Sequence, residues 1–432
     1  MSQRQWKRVE AVERISRGAL TVREAAAVLG IGERQVRRLR RAIEKRGAKG
    51  VVHGNTGRAP QHRIAAAVRE QIVGLRRDKY VGFNDHHFTE KLCEVEGVTV
   101  SRASVQRLLR AAGIGPPRRR RPPKHRRRRD RKPQAGLMIL WDGSRHDWLE
   151  ERGPMLCLMG AIDDSTGELL PGAHFVDQEC AAGYLRVLKA MAEEKGLPFS
   201  AYMDRHGSLK RNDEHWTLEE ELRGVQDPTQ VGRALQALEI EVIFALSPQA
   251  KGRVERLWGT LQDRLVSELR LVGATTIAAA NAVLQAFRPD HNGRFAIAPA
   301  DATPAWRTVR RETDVARICS FHYEATVLPD NTVRLAGMVI DVPPGPRKRS
   351  YAGARIELCQ FLDGSWRVYR DAAVIATKAA TTTAQVRPLK RRRRRPPSAA
   401  WNGSGNANPP SPSAARLNQP PSDRMIEHRS ER

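Results

Sequence analysis

The chain has 432 residues, a formal net charge of +27 and a sequence pI near 10.8. With 40% hydrophobic residues it can form real cores, roughly three domains at ~150 residues each, and no uninterrupted apolar run reaches the ~18 residues of a membrane span. Five scattered cysteines without a CxxC pair, and no apolar stretch after the first residues, exclude a disulfide scaffold, a zinc ribbon and a secretory signal; a cytoplasmic protein is expected.

The charge is unevenly spread. Residues 1–135 hold 35 basic and 12 acidic side chains, and residues 321–432 hold 19 and 9. The middle, 136–320, holds 21 and 27 and is net acidic. Basic flanks suit a polyanion such as DNA, because they neutralise phosphates and release counterions; clustered carboxylates suit a divalent cation.

In chain order, Thr21 and Glu24 form a T-x-x-E capping box that opens a short helix. Ala25, Ala26, Val28 and Leu29 are its apolar side, and Gly30 is the turn. A second helix follows with Val36 and Leu39 inward and Arg34, Arg37, Arg38, Arg40 and Arg41 outward. A small-residue helix, a glycine turn and an Arg-rich helix make a helix-turn-helix, whose second helix enters the DNA major groove. This first DNA-binding unit is assigned to residues 1–54, with Arg34, Arg37, Arg38 and Arg41 as DNA contacts.

A second all-α unit, 55–115, is expected to hold helices over roughly 64–78, 85–95 and 101–112. Its last helix is N-capped by Ser101 and buries Val105, Leu108 and Leu109, leaving Arg102, Gln106 and Arg107 outward toward DNA. His86, His87 and Cys93 lack a fourth ligand and read as helix residues rather than a zinc site. Residues 116–135 form a basic linker, because proline and like charge oppose packing.

From residue 136 the period changes to that of strands. GLMILWD ends in Asp142; PMLCLMGAIDD and LLPGAHFV follow across the turn at Ser165-Thr166-Gly167, making an antiparallel meander. A helix near 178–195 leads to SAYMD, ending in Asp204, then EVIFAL, then a long helix from Ser247. Asp142 and Asp204 both fall where strands are expected to end, the place where ligand sites of open α/β sheets gather. In the long helix Val254, Leu257, Trp258, Leu261 and Leu265 make one stripe; Glu255 lies on its border, and Asp263 faces solvent. Asp147, Asp163 and Asp164 sit in loops and turns, where Asp bonds its own backbone. Trp141, Trp148 and Trp258 read as packing residues.

Past 321 short alternating strands with turns at Asp330-Asn331 and Asp363-Gly364 suggest a small β-barrel over 311–376. Residues 377–432, with PLKRRRRRPPS and Ser/Asn/Pro-rich sequence, read as a disordered basic tail.

Strand-Asp142, the hairpin strands, strand-Asp204, and Ser247-Pro248…Gly252…Glu255 on a helix resemble a DDE transposase of the retroviral-integrase superfamily. FRPDHNGRFAIAPADATPAWR (287–307) is similar to the segment after the catalytic helix in those enzymes, and the paired N-terminal units resemble bacterial insertion-sequence transposases of the ISNCY type. The resemblance spans about residues 15–370 and implies an RNase H-like α/β catalytic core over 136–310. It further implies two Mg²⁺ (or Mn²⁺) ions, with Asp142, Asp204 and Glu255 as catalytic metal ligands and Lys251 near a DNA phosphate. By the same resemblance the chain binds the terminal inverted repeats of its element and target DNA, cleaves and transfers strands, and assembles as a homo-oligomer on DNA at the bacterial nucleoid. The spacing Asp204 to Glu255 exceeds the compact integrase spacing through a polar insertion at 207–233. Two rival readings are an RNase H-like nuclease that does not join strands and a catalytically inert DNA-binding regulator.

Overall fold

A computed structural model describes residues 1–57, 63–117, 129–211, 215–245, 252–380 and 386–389. The chain divides into Met1–Arg387 and Pro388–Arg432, and all elements below belong to the first unit. No single helix among the described residues is long and apolar enough to cross a membrane.

Helices α1 (Gln3–Ser16), α2 (Val22–Leu29) and α3 (Glu33–Arg46) form the N-terminal unit. The Thr21–Glu24 capping box is made in both directions, and Gly30 ends α2 in the left-handed conformation at φ 62°. That conformation favours a residue without a Cβ, which is why glycine marks this turn. Ala25, Ala26 and Val36 are buried together, and small residues let α2 approach α3 closely. Val28 departs from expectation: it is 72% exposed, because α2 is only two turns long and α1 and α3 cover it along Ala25 and Ala26. Arg34, Arg37, Arg38 and Arg41 are exposed on α3.

The second unit holds α4 (Ala66–Asp78), α5 (Asp85–Glu94) and α6 (Arg102–Ala111) around Ile72, Tyr80, Phe83, Phe88, Leu92, Val105 and Leu109. Ser101 caps α6 by accepting from the Ser104 amide, and Arg102, Gln106 and Arg107 are exposed. His87 is buried against Glu268, and His86 faces Glu90.

The central sheet contains β1 (Met138–His146), β2 (Leu156–Asp163), β3 (His174–Val176), β4 (Ser200–Met203) and β5 (Glu241–Phe244) in the order β3-β2-β1-β4-β5. The first three strands are antiparallel, and β4 and β5 run parallel to β1. This is the order and polarity expected of an RNase H-like core. Both faces are covered, so alternate residues of β1 enter different cores. Ile139 and Trp141 pack toward α7 (Ala181–Glu194), whereas Met138 and Leu140 pack toward α10 (Gly252–Val272). The polar insertion carries α8 (Leu218–Arg223) and α9 (Gln230–Ala237). Val254, Leu257, Trp258, Leu261 and Leu265 bury the predicted α10 stripe on the sheet. At about 1.5–3 kcal/mol for each large apolar side chain, that stripe fixes the helix firmly.

The outer side of α10 is not solvent. Asp263 accepts a hydrogen bond from Asn84, and Glu268 meets His87 and Lys91 at 2.7 Å each. Buried Arg264 meets Glu90 at 2.7 Å, and Arg270 donates to the Val81 carbonyl. The second helical unit therefore docks on the far side of α10 through paired charges, which a helical period cannot reveal.

Helix α11 (Ile277–Phe295) follows, with His291 stacked between Phe287 and Phe295 at 5.6 and 4.8 Å. Among the described residues neither ring nitrogen of His291 has a hydrogen-bond partner, and burial, then Arg264, pushes its pKa down to about 4. The unfolded chain takes up this proton near pH 6.5 and the folded chain does not, so stability is complete above pH 6.5 and is lost as pH falls toward 4. The shift corresponds to about 3 kcal/mol. Urea titration at pH 7 and 4.5 should find this acid loss reduced by a large part of that amount in His291→Phe; an unchanged loss refutes it.

The C-terminal region contains α12 (Val315–Ile318), β6 (Phe321–Thr326), β7 (Thr332–Leu335), β8 (Met338–Asp341), β9 (Arg355–Gln360), β10 (Trp366–Arg370) and β11 (Ala373–Lys378). The expected barrel does not close. An antiparallel sheet β11-β10-β9-β6 and a separate hairpin β7-β8 are present instead. One reason is that Phe321 and Cys319, at the start of β6, are committed to the core around α7 and α9. Strand β11 also runs past the expected boundary at 376; the basic tail from 390 onward lies outside the described residues.

Candidate active site

Parallel pairing of β1 and β4 sets Met138 opposite Ser200, Ile139 opposite Ala201 and Leu140 opposite Tyr202. Carried two residues further, the same register sets Asp142 beside Asp204. Alternation puts Asp142 on the face of Met138 and Leu140, and Asp204 on the face of Tyr202; this is the face that α10 covers. Only Asp204 lies at a strand end, immediately after β4. Asp142 is inside β1, which continues to His146 while paired with β2. The pairing with β4 ends at Leu140, so both aspartates lie just past the end of that ladder.

Each carboxylate is held. Trp258 donates from Nε1 to Oδ2 of Asp142 at 3.2 Å, and the His206 amide donates to Oδ1 of Asp204 at 3.1 Å. Asp142 pairs across β2 with Gly160, and a Cβ on Gly160 would stand 3.2 Å from the Trp258 ring. A glycine there lets the indole lie close over the sheet and reach Asp142. Trp141, Trp148 and Trp258 are all buried, as packing residues should be.

A further carboxylate, Glu179, joins the site from the segment before α7. Its Oε1 accepts from the Tyr184 hydroxyl at 2.5 Å and lies 3.3 Å from Nδ1 of His206; its Oε2 would be 2.8 Å from a Cβ on Gly143. Burial first, then Glu179, Asp142 and Asp204, holds the Tyr184 hydroxyl well above its ordinary pKa. Burial, then Glu179 and Asp142, pushes the Cys157 thiol up to about 12. Glu179 and Asp142 thus act on both groups, Asp204 adds to them at Tyr184, and Arg145 opposes them at Cys157. The site's carboxylates are hard oxygen donors of the kind that suit Mg²⁺ or Mn²⁺. Glu179 carries no mark in the sequence, since nothing in its spacing ties it to Gly143 on another element.

Glu255 is exposed in the first turn of α10, one turn before Trp258, and makes no hydrogen bond or ion pair among the described residues. Asp142 and Asp204 thus lie at neighbouring strands, and Glu255 is exposed on the helix that covers that face. Lys251 lies outside the described residues, as do 118–128 of the linker. Asp163 behaves as a turn residue, accepting from the amides of Ser165, Thr166 and Gly136.

Among the described residues, one group of three metal-type ligands has donor atoms within 4.8 Å of one another: His322, Glu357 and Cys359. Arg317 already neutralises it: its guanidinium is 2.6 Å from Glu357, and its carbonyl accepts from the His322 ring at 2.7 Å. The His322 and Arg317 contacts hold Glu357 down to about 2, and burial pushes the Cys359 thiol up to about 11. That set is a structural ion pair and a neutral thiol.

The winged helix-turn-helix family matches residues 8–70. The transposase y4bF of Sinorhizobium fredii is 37% identical over 317 residues, 73% of this chain and 68% of that protein. The transposase for insertion sequence IS1202 of Streptococcus pneumoniae is 30% identical over 334 residues, 67% of this chain and 68% of that protein. Among solved structures, the simian T-cell lymphotropic virus intasome overlaps 72% of this chain and 100% of its own at 13% identity, with a TM-score of 0.28. The BIV integrase catalytic core domain overlaps 35% of this chain and 82% of its own at 16% identity, with a TM-score of 0.24. At such scores the fold stands on the chain's own strand order.

Proposed function

The chain belongs to the family of bacterial insertion-sequence transposases, and from that premise we propose that it binds the terminal inverted repeats of its element and performs metal-dependent cleavage and transfer of DNA strands. The observation that carries the reading is the juxtaposition of Asp142 and Asp204 on the α10 face of the sheet, with Glu255 in the first turn of the helix above.

Asp142, Asp204 and Glu255 are the catalytic carboxylates and would hold two Mg²⁺ or Mn²⁺ ions. When bound, such a pair activates the attacking oxygen and stabilises the leaving oxygen in in-line phosphoryl transfer. The chain's own residues orient that set. Trp258 fixes one oxygen of Asp142, the His206 amide fixes one oxygen of Asp204, and Glu179 holds the His206 ring. The RNase H-like strand order agrees with this chemistry.

DNA is recognised by Arg34, Arg37, Arg38 and Arg41 on α3 and by Arg102, Gln106 and Arg107 on α6, all exposed. Arg37 rests on Glu33 at 3.0 Å in an exposed pair that a phosphate can replace. Lys251 is assigned to a phosphate beside the cut. Paired element ends imply a homo-oligomer assembled on DNA.

The test is incubation of the full chain with its own element's flanking DNA and Mg²⁺, with Asp142→Asn alongside. A nick at an inverted repeat followed by joining, made only by the unaltered chain, supports the transposase reading. Cleavage without joining replaces it with a nuclease, and tight binding without cleavage replaces it with a regulator.

A further inference from the structure

Asp164, expected to be an ordinary turn residue, is fully buried and ties two distant segments together. Its Oδ1 meets Nη2 of Arg129 at 2.5 Å and also receives Arg253. Its Oδ2 accepts from the Lys132 amide at 2.9 Å, and its own carbonyl accepts from Arg131 at 3.1 Å. Arg253 in turn donates to the backbone carbonyl of Arg129. Arg129–Lys132 is where the basic linker reaches the core, and Arg253 lies in the first turn of α10, two residues before Glu255. The expectation that like charge keeps this linker from packing fails at its end, because one buried carboxylate neutralises it. Burial opposes the charge on Asp164, yet Arg129, the Lys132 amide and Arg253 keep its pKa below the ordinary value.

We infer that Asp164 is a positioning residue: by clamping Arg129 of the linker to Arg253 of α10, it holds the first turn of that helix, and with it Glu255, where the reaction needs it. The inference rests on the assignment of Glu255 to the active site. Three features argue for a device rather than a chance pair. A buried Asp with one Arg is already a satisfied pair, whereas here two cations from segments more than a hundred residues apart share one oxygen. In the first turn of the helix Glu255 and Arg256 are exposed, so among the described residues the ion pair of half-buried Arg253 with Asp164 is what anchors its polar side. Finally, the clamp includes the linker from the DNA-binding units, so seating of the linker and seating of the catalytic turn become one event.

The test is hydrogen exchange by mass spectrometry on the full chain, together with cleavage rates at saturating element-end DNA. In Asp164→Asn, amides of 252–257 should exchange about tenfold faster while those of 261–272 keep their protection. The cleavage rate should fall by about 10²-fold, as expected for misplacement of a reacting group by an ångström or so. Arg129→Gln, at a half-exposed position, should reproduce both effects, and the double variant should be no worse than Asp164→Asn alone. Unchanged exchange in both single variants overturns the clamp. Faster exchange with an unaltered cleavage rate overturns the positioning role. Glu255→Gln cleaving like the unaltered chain overturns the Glu255 assignment and the inference with it, and that failure is read without reference to exchange.

Discussion

Asp204→Asn should reduce strand cleavage by at least about 10³-fold while leaving affinity for terminal-repeat DNA unchanged, an effect of about 4 kcal/mol on the chemical step. The substitution keeps the shape and keeps an oxygen able to accept from the His206 amide, so the turn after β4 has no reason to move. What it removes is a full negative charge and a hard oxygen donor beside Asp142. In a site where Glu179, Asp142 and Asp204 already share one patch of negative potential, losing one charge relieves repulsion; the melting temperature should hold or rise, as is common when a functional site is neutralised. Cleavage on end-labelled DNA, binding by fluorescence anisotropy and a thermal melt measure the three quantities. Loss of cleavage together with loss of stability would assign Asp204 a folding role and remove it from the catalytic set.

Deleting residues 1–57 should lower the preference for terminal-repeat over random DNA by about 10³-fold, the lower end of the usual ratio of specific to nonspecific binding. The stability of the core should be untouched, because Ala25, Ala26 and Val36 form a cluster of their own. The place of the cut matters. A deletion through residue 114 also strips Asn84, His87, Glu90 and Lys91 from Asp263, Arg264 and Glu268, and it uncovers Leu271, which packs on the second unit's core. That longer deletion should destabilise α10, and a binding loss after it would say nothing about recognition. Competition binding with the shorter variant is the decisive measurement; an unchanged preference would refute the assignment of α3 as the recognition helix.

The strand order also bears on how the two halves of the molecule are joined. One helix, α10, carries Glu255 at its start, Trp258 against Asp142 in its second turn, and the docking residues of the second helical unit from Asp263 to Arg270. A single helix thus spans from the candidate site to the second helical unit. Its apolar face is held by the sheet and its polar face by paired charges, so its orientation is over-determined along most of its length.

Much was legible from residues alone because the signals are local. A T-x-x-E box followed by glycine dictates a capped helix and a turn within ten residues, and the structure has both. The apolar runs that lead into Asp142 and Asp204, and the α10 stripe with Glu255 at its border, likewise follow from backbone geometry and from the need to bury apolar faces. The same reasoning placed Asp142 at a strand end and Asp263 in solvent, and both placements failed because each depends on a partner chosen elsewhere in the chain. Closure of the C-terminal strands failed for the same reason, since β6 is committed to the core of the central domain. Glu179 behind Gly143, and Asp164 between Arg129 and Arg253, have no local signature: a carboxylate's meaning is set by the charges that folding brings to it. Sequence by itself thus determined the capped N-terminal helices, the central strands in their chain order and the apolar stripe of the long helix. Only the tertiary structure decided which charges are buried together, because burial is a property of the packed whole and periodicity is a property of one segment.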